Sequence, residues 1–310
     1  MIDPEQELQG PDLPPAARIL PNLVETAVTT PLVELARCFA DVDGRVLAKL
    51  EMSGPGGSSR VRVAQRLLID ARNEGRLTAH QTLVVRGDQA PGLVQAGPIL
   101  GHPTLVVVGP DTSSAALAQF EVFGADIEVA QDHDLDACIA SMVHCTGGFQ
   151  VDVDSDLSNY RAHRLGTGPE ILRQSRGKLG AFCAHVHSGA TFEGCAATLE
   201  EFDPNIRSHT VRLAGTPGDL PQRIDPRLVT RAFDIEASAA RAQVRRLARK
   251  EGLLVGLEAG AVIAAARDLL EGKLFGATIV VVLDGESTVP GLQAATTRGD
   301  ASPGPVSDAA

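Results

Sequence analysis

Short apolar runs alternate with amphipathic segments along most of this chain. Brief apolar runs bounded by Gly and polar residues predict strands, and apolar positions spaced three and four apart predict helices. The predicted strands are Val46–Leu50, Thr82–Val85, Thr104–Val108, Ile127–Val129, Ala181–Val186, Ser208–Leu213 and Thr278–Leu283. The predicted helices are Val61–Asn73, Ser113–Phe123, Leu135–His144, Pro169–Ser175, Ala190–Glu201, Ile235–Glu251 and Ala259–Glu271. This alternation predicts an α/β protein with mostly parallel sheets covered by helices on both faces.

Two turns between a predicted strand and a predicted helix carry candidate chemistry. The stretch Leu50–Arg62 (LEMSGPGGSSRVR) ends a strand in a glycine and serine turn, and HSGAT at His187–Thr191 does the same before another helix. Glycine permits a close backbone approach, and the N–H groups of a helix start favour an anion. Because open parallel sheets bind ligands at the carboxyl ends of their strands, we expect both turns to line one cleft.

The composition excludes several classes of partner. The 310 residues favour two domains, and the formal net charge is −11 with only 3% aromatic residues. An acidic chain without a basic cluster lacks the electrostatic footprint of a nucleic-acid binder and is not attracted to anionic membranes.

The cysteines and the start of the chain indicate a cytoplasmic protein. Five cysteines without C-x-x-C spacing predict reduced thiols rather than a disulfide framework. The acidic start MIDPEQELQGPD is unlike a signal peptide, and no apolar run approaches the ~20 residues that cross a bilayer.

Five segments of the chain form a recognisable series: TPLVEL, LAKLEMSGPGGSSRVR, GTGPEIL, FCAHVHSGATFEG and RRLARKEGLLVGLEAGAVIAAA. In their sequence and in their order they resemble the cysteine synthase (O-acetylserine sulfhydrylase) and cystathionine beta-synthase-like family of fold-type II pyridoxal-phosphate enzymes. The resemblance implies the two-domain, tryptophan synthase beta-like architecture. It places a small domain at 45–145, a large domain at 16–44 and 146–295, and flexible tails at 1–15 and 296–310.

The resemblance also places Arg60 where the family has the lysine that forms the Schiff base with the cofactor. A guanidinium stays protonated and cannot act as that nucleophile, whereas a desolvated lysine can. The chain has only four lysines, at 49, 178, 250 and 273, and none is a convincing substitute. We therefore expect that the covalent chemistry is lost and that no cofactor is used, although non-covalent pyridoxal phosphate or phosphate stays open.

In the family, the second loop (S-G-N-T-G) holds the carboxylate of the substrate. It corresponds here to Arg86-Gly87-Asp88-Gln89-Ala90, where Asp88 would repel an anionic substrate unless Arg86 or Arg60 compensates. Asp88 is also a good candidate for a helix N-cap, and a cap can line a pocket as well.

The third loop (G-T-G-G-T), which holds the cofactor phosphate in the family, corresponds to His187–Thr191. Ser188, Gly189 and Thr191 keep an anion-binding character, while His187 replaces a glycine. Cys183, His185 and His187 alternate on a strand and so share one face. We expect no metal site there, because a fourth ligand at fixed spacing is missing.

Two further positions that contact the cofactor ring in the family have changed. Glu258 lies in the segment EAGA, and Glu286 lies in the shortened segment DGES. The cleft thus gains the charged or titratable candidates Arg60, Asp88, His187, Glu258 and Glu286, whose burial is costly unless they are paired or used.

Two hypotheses account for these changes. In the first, the cleft is repurposed: Arg60, Ser58, Arg86, Gly87, Ser188, Gly189, Thr191 and Glu286 bind a small anionic amino-acid-like or phosphorylated ligand, which Glu258, His187 or Asp88 transforms by acid–base chemistry. In the second, the chain is a pseudoenzyme that supports or regulates an active cysteine-synthase-like paralogue. A pyridoxal-phosphate dependent β-replacement enzyme of cysteine biosynthesis is the remaining alternative. By analogy with the family we expect a homodimer.

Overall fold

The computed structural model describes residues 19–131, 134–272, 274 and 276–285. The strands are β1 Leu32–Glu34, β2 Arg45–Leu50, β3 Leu83–Arg86, β4 Thr104–Val108, β5 Asp126–Val129, β6 Phe149–Val151, β7 Ala181–His185, β8 Arg207–Leu213, β9 Arg231–Ile235 and β10 Thr278–Leu283. The α-helices are α1 Arg60–Asn73, α2 Pro91–Ile99, α3 Ser114–Val122, α4 Leu135–Thr146, α5 Leu157–Ala162, α6 Gly168–Ser175, α7 Ala190–Phe202, α8 Ala237–Glu251 and α9 Leu257–Glu271. One π-helical segment, His163–Thr167, joins α5 to α6.

The larger sheet has six strands in the order β1-β2-β10-β7-β8-β9, and only β1 runs antiparallel to its neighbour. Its central strand β10 is buried on both faces. Ile279, Val281 and Leu283 pack toward α8 and α9, whereas Val280 and Val282 pack toward α6 and α7. Successive side chains of a strand point to opposite faces, so a continuous run of Val and Ile supplies both halves of the core.

The second sheet has four parallel strands in the order β5-β4-β3-β6. The same alternation holds in β3, where Leu83 and Val85 pack with α1 and α2, and Val84 packs with α4. Both sheets are therefore covered by helices on their two faces, which the apolar pattern predicts.

The predicted strands and helices are confirmed, with ends that differ by at most two residues. The sequence analysis missed β1, β6 and β9 and the helices α2 and α5. β1 and β6 have only three residues each, and α2 contains two glycines and Pro98, which are poor helix formers. The three strands form by pairing with β2, β3 and β8, and the two helices form by packing against α1, which a local pattern does not reveal.

The domain boundaries stay a prediction. Strand β2, which the predicted small domain includes, pairs in the six-stranded sheet, and β6 completes the four-stranded one. The predicted tails at 1–15 and 296–310 lie outside the described residues. No helix in the described ranges is both long and apolar enough to cross a bilayer.

A buried ionic cluster connects β2, α1 and α6. Lys49 Nζ lies 2.6 Å from Glu170 Oε2, and Arg62 donates to Glu51 at 3.0 Å and to Glu170 at 2.6 Å. All four side chains are at least nine-tenths buried. Two cations and two carboxylates balance in charge, which is the condition under which buried charges are tolerated.

Candidate functional site

A cavity of about 490 Å³ opens at the carboxyl ends of β7 and β10. Its walls are completed by the starts of α1, α7 and α9 and by the loop after β3. The polar residues that line it are Ser58, Ser59, Arg60, Asp88, Gln89, Asp154, Asn159, His163, His185, His187, Ser188, Thr191, Glu258 and Asp284. This is the position at which an open parallel sheet binds its ligand.

The start of α7 forms one wall of the cavity. Gly189 has φ +89°, and a Cβ there would lie 2.8 Å from Ile224 Cγ1, so both its conformation and its surroundings require glycine. The helix has no side-chain cap, and Ser188, Gly189 and Thr191 all line the cavity. Backbone N–H groups and two hydroxyls at a helix start can bind an anion.

The start of α1 lies across the cavity and corrects one expectation. We expected the N–H groups of the glycine and serine turn before α1, which begins at Arg60, to be available to an anion. The N–H of Ser59 donates to Asp284 Oδ1 at 2.9 Å, and the Ser59 hydroxyl forms a second, short hydrogen bond with the same carboxylate. A carboxylate of the protein therefore already binds an N–H group at this turn.

Asp284 follows β10 directly and was missed as a site residue. Its negative charge acts on the imidazoles of His163 and His185, whose pKa values it raises against the lowering effect of burial. A single Asp after a strand carries no local signal, because its partner Ser59 is 225 residues away in the chain.

Three side chains that we predicted to do acid–base work line the same cavity: Glu258, His187 and Asp88. His185, which was not among these candidates, lines it as well. Burial lowers the pKa of His185, and His187 lowers it further, while Glu258 and Asp284 oppose the shift. The lowered pKa favours a neutral imidazole at His185, and a neutral imidazole can accept a proton.

The expectation that Asp88 caps a helix is wrong. Helix α2 begins at Pro91 after Ala90, without a side-chain cap. Asp88 instead accepts a hydrogen bond at 3.3 Å from Arg86, whose guanidinium also lies 3.7 Å from Asp136. Arg86 thus compensates the charge of Asp88, and it is one of the two arginines that the sequence analysis named for this role.

Not every predicted residue lies in this cavity. Arg86 does not line it, and Gly87 lines an adjoining cavity of about 460 Å³ that shares Ser58, Arg60 and Asp88 with the first. Glu286 falls outside the described residues.

His163 is a second residue that the sequence analysis missed. Its imidazole is buried, with Nδ1 3.0 Å from Thr167 Oγ1 and Nε2 3.1 Å from Thr191 Oγ1. Burial and the nearby Arg62 guanidinium lower its pKa to about 4, against weaker opposite effects of Asp284 and Glu170. The segment GTGPEIL resembles the family, but nothing in it indicates that His163, five residues before the start of α6, reaches the cavity.

The three lysines that the structure describes do not line the cavity. Lys49 is fully buried in the ionic cluster and donates to Thr30 O at 2.7 Å and to Gln174 Oε1 at 2.9 Å. Burial lowers its pKa, although Glu170 opposes that shift. Lys178 and Lys250 do not line the cavity either, and Lys273 lies outside the described residues.

Among the residues that the structure describes, no group of three or more His, Cys, Asp or Glu side chains is arranged to hold a metal ion. Cys183 packs into the core beside α8 and α9, whereas His185 and His187 line the cavity.

Comparison with known proteins identifies relatives over most of the chain. A family model described as "Pyridoxal-phosphate dependent enzyme" matches residues 25–285. "Cysteine synthase 3" of Caenorhabditis elegans is 28% identical over 290 residues, which cover 82% of this chain and 85% of that protein.

Two solved structures share the fold. That of O-ureido-L-serine synthase superimposes with a TM-score of 0.79 at 22% identity, covering 87% of this chain and 93% of the other. That of O-acetyl serine sulfhydrylase isoform 3 from Entamoeba histolytica gives 0.78 at 23% identity, covering 88% and 90%. These matches confirm the predicted fold-type II class.

The same comparisons correct the expectation that this chain uses no cofactor. The matched family is pyridoxal-phosphate dependent, and its relatives include cysteine synthases. The family therefore points to pyridoxal phosphate as the cofactor, and the expectation that none is used was wrong.

Proposed function

Because the chain belongs to the pyridoxal-phosphate dependent enzymes, we propose that its cavity binds pyridoxal phosphate without a covalent bond from position 60, together with a small anionic, amino-acid-like ligand. The resemblance of the motifs places Arg60 at the position of the family lysine, and a guanidinium does not form the covalent link. The protein is thus a cysteine-synthase-like member of the family in which the attachment of the cofactor has changed.

The composition of the cavity wall carries this proposal. Arg60 lines the wall, and no lysine does so among the described residues. Lys49, the lysine nearest to Arg60 in sequence, has three hydrogen-bond partners in the buried cluster and would have to abandon Glu170 to reach a ligand. Leaving that carboxylate without its cation is costly in a buried setting.

The cavity fits a phosphorylated ligand at its α7 end. The uncapped helix start, the hydroxyls of Ser188 and Thr191, and the left-handed Gly189 form a set of donors suited to a phosphate group. Asp284 and His185 lie at the strand ends beside it, and 490 Å³ is within the range of ordinary small-molecule sites.

When bound, pyridoxal phosphate would supply an electron-withdrawing ring beside the amino-acid-like ligand. The side chains of this protein would perform the remaining tasks. Arg60 provides a positive charge for a carboxylate, and the neutral imidazole of His185 can accept a proton. Glu258, exposed in the first turn of α9, places a carboxylate at the same cavity.

Absorption spectroscopy with borohydride reduction tests the proposal. We expect added pyridoxal phosphate to bind reversibly and be removed by dialysis after borohydride treatment, with no label on Lys49. A label retained on any lysine would contradict the proposal and favour the β-replacement alternative. An assay with O-acetylserine and sulfide then tests that alternative directly.

Calorimetry with variants tests the residues. Arg60→Ala should weaken binding of an amino-acid ligand by roughly 10- to 150-fold, the range of a charge-assisted hydrogen bond. Arg37→Ala, which changes an exposed arginine outside both cavities, is the matched control. Equal affinities for the two variants would refute the role of Arg60.

Two further proposals concern the whole protein. We propose a homodimer in the cytoplasm, as for a cysteine-synthase-like enzyme. A monomer mass in light scattering at micromolar concentration would contradict the first, and fractionation of cells would test the second.

A further inference from the structure

A chain of three side chains leads from the protein interior to the cavity. Thr167 ends the π-helical segment and is fully buried, His163 begins it, and Thr191 lies in the first turn of α7. The imidazole of His163 bridges the two hydroxyls, with Nδ1 3.0 Å from Thr167 Oγ1 and Nε2 3.1 Å from Thr191 Oγ1. His163 and Thr191 both line the cavity, and Thr191 does so at the start of α7, whereas Thr167 is not part of the wall.

The surroundings keep His163 neutral. Burial lowers its pKa to about 4, and the Arg62 guanidinium of the ionic cluster acts in the same direction. Asp284 and Glu170 oppose this shift without cancelling it. At neutral pH the ring therefore carries one N–H, and its position determines the direction of both hydrogen bonds.

The burial of Thr167 decides which nitrogen carries the hydrogen. In the described part of the chain, His163 Nδ1 is the single hydrogen-bond partner found for the Thr167 hydroxyl. If Nδ1 carried the hydrogen, the hydroxyl would accept it and its own hydrogen would be buried without an acceptor, which is unfavourable. The Thr167 hydroxyl therefore donates to Nδ1, and the hydrogen lies on Nε2.

We propose that His163 is a positioning residue for the anion site: its Nε2–H donates to Thr191 Oγ1 and leaves the Thr191 hydroxyl hydrogen to donate to a phosphate group in the cavity. This inference rests on the proposed function, since it concerns the phosphate end of the same ligand. The opposite tautomer would take the Thr191 hydrogen and present an oxygen lone pair to the anion. The direction of one buried hydrogen bond thus determines whether the hydroxyl attracts or repels a phosphate.

Nitrogen-15 NMR on the ligand-free protein tests the tautomer directly. The ring nitrogens of His163 are assigned by the loss of their signals in His163→Gln. We expect the chemical shifts of an Nε2–H tautomer that persists at neutral pH. An Nδ1–H tautomer or a protonated ring at pH 7 would overturn the inference without reference to any ligand.

A double-mutant cycle with inorganic phosphate as the probe tests the coupling. Thr191→Val and His163→Leu should each weaken binding by roughly 10- to 150-fold, the range for a hydrogen bond to a charged group. If His163 acts through the Thr191 hydroxyl, His163→Leu should have no further effect in the Thr191→Val background. If the two changes reduce phosphate affinity independently, so that their fold-changes multiply, the inference that His163 acts through Thr191 is refuted.

Two further variants separate positioning from folding. His163→Gln offers an amide N–H in place of Nε2–H and should restore phosphate affinity to within about threefold of the parent, because a hydrogen bond of ordinary net strength is kept. His144→Leu, on exposed α4, is the matched control and should leave affinity unchanged. A parent protein that binds no phosphate would contradict the proposed function, whereas phosphate binding with a His163→Gln variant as weak as His163→Leu would contradict this inference alone.

Discussion

Replacing Arg62 by methionine should destabilise the protein more than any surface change of the same kind. Arg62 makes four hydrogen bonds to Glu51 and Glu170, between 2.6 and 3.2 Å, and only 6% of the residue is exposed. Without it, Lys49 alone faces two buried carboxylates, so one negative charge is left uncompensated. Removing one partner of a buried ion pair typically costs about 3–5 kcal/mol.

The magnitude is large relative to the stability of a folded protein, which is about 5–15 kcal/mol. Urea denaturation followed by circular dichroism measures it, because a chain without Trp and with one Tyr gives little intrinsic fluorescence. The matched control is Arg227→Met, whose pair with Asp225 is 2.6 Å long but whose side chain is 87% exposed. An exposed pair of this type contributes about 0–1 kcal/mol.

A second variant separates charge from packing. Adding Glu51→Gln to Arg62→Met restores the charge balance of the cluster and should recover part of the lost stability. If Arg62→Met costs no more than Arg227→Met, or if Glu51→Gln makes the loss larger, the cluster is not held by charge balance and this reasoning is refuted.

Three further predictions follow from packing and titration. Gly92→Ala should lower the free energy of unfolding by about 1–3 kcal/mol and weaken ligand binding, because the added Cβ would lie 2.3 Å from the backbone oxygen of Arg60. Gly109→Ala is the control and should be neutral, because the space around Gly109 is open. Equal effects of the two changes would contradict this prediction. Burial lowers the pKa values of His163 and His209 to about 4 in the folded protein. In the unfolded chain a histidine takes up a proton below its usual pKa of about 6.5, so between these pH values the unfolded state binds more protons than the folded state. Stability should therefore fall as the pH falls from about 6.5 toward 4, by up to ~1.4 kcal/mol per pH unit for each histidine. The double variant His163→Gln with His209→Gln should show a clearly shallower fall, with His185 still contributing, and an unchanged profile would contradict the assignment. A thiol reagent should modify exposed Cys145 rapidly in the native protein and buried Cys38, Cys183 and Cys195 only after denaturation; rapid labelling of the buried three would show that the core around them opens.

Local sequence determined much of the fold. In β10, six consecutive apolar or β-branched residues are typical of a strand buried on both faces, and in α8 apolar positions at 240, 244 and 247 face one core. These patterns depend on residues close in sequence, and the structure confirms them. The loop at 187–191 could likewise be located, because a strand, a glycine-containing turn and a helix follow one another directly.

Only the tertiary structure decided which side chains of the candidate site form hydrogen bonds with one another. Asp88 had the chemistry of a cap, but Arg86 binds it and α2 begins elsewhere. Ser59 meets Asp284 across 225 residues, and His163 reaches Thr191 across 28. A hydrogen bond of this kind leaves no periodic trace in sequence, because its geometry is set by how the two sheets and their helices pack. The sequence thus determined which residue types surround the cleft, and packing determined which of them are already bound to one another and which face a ligand.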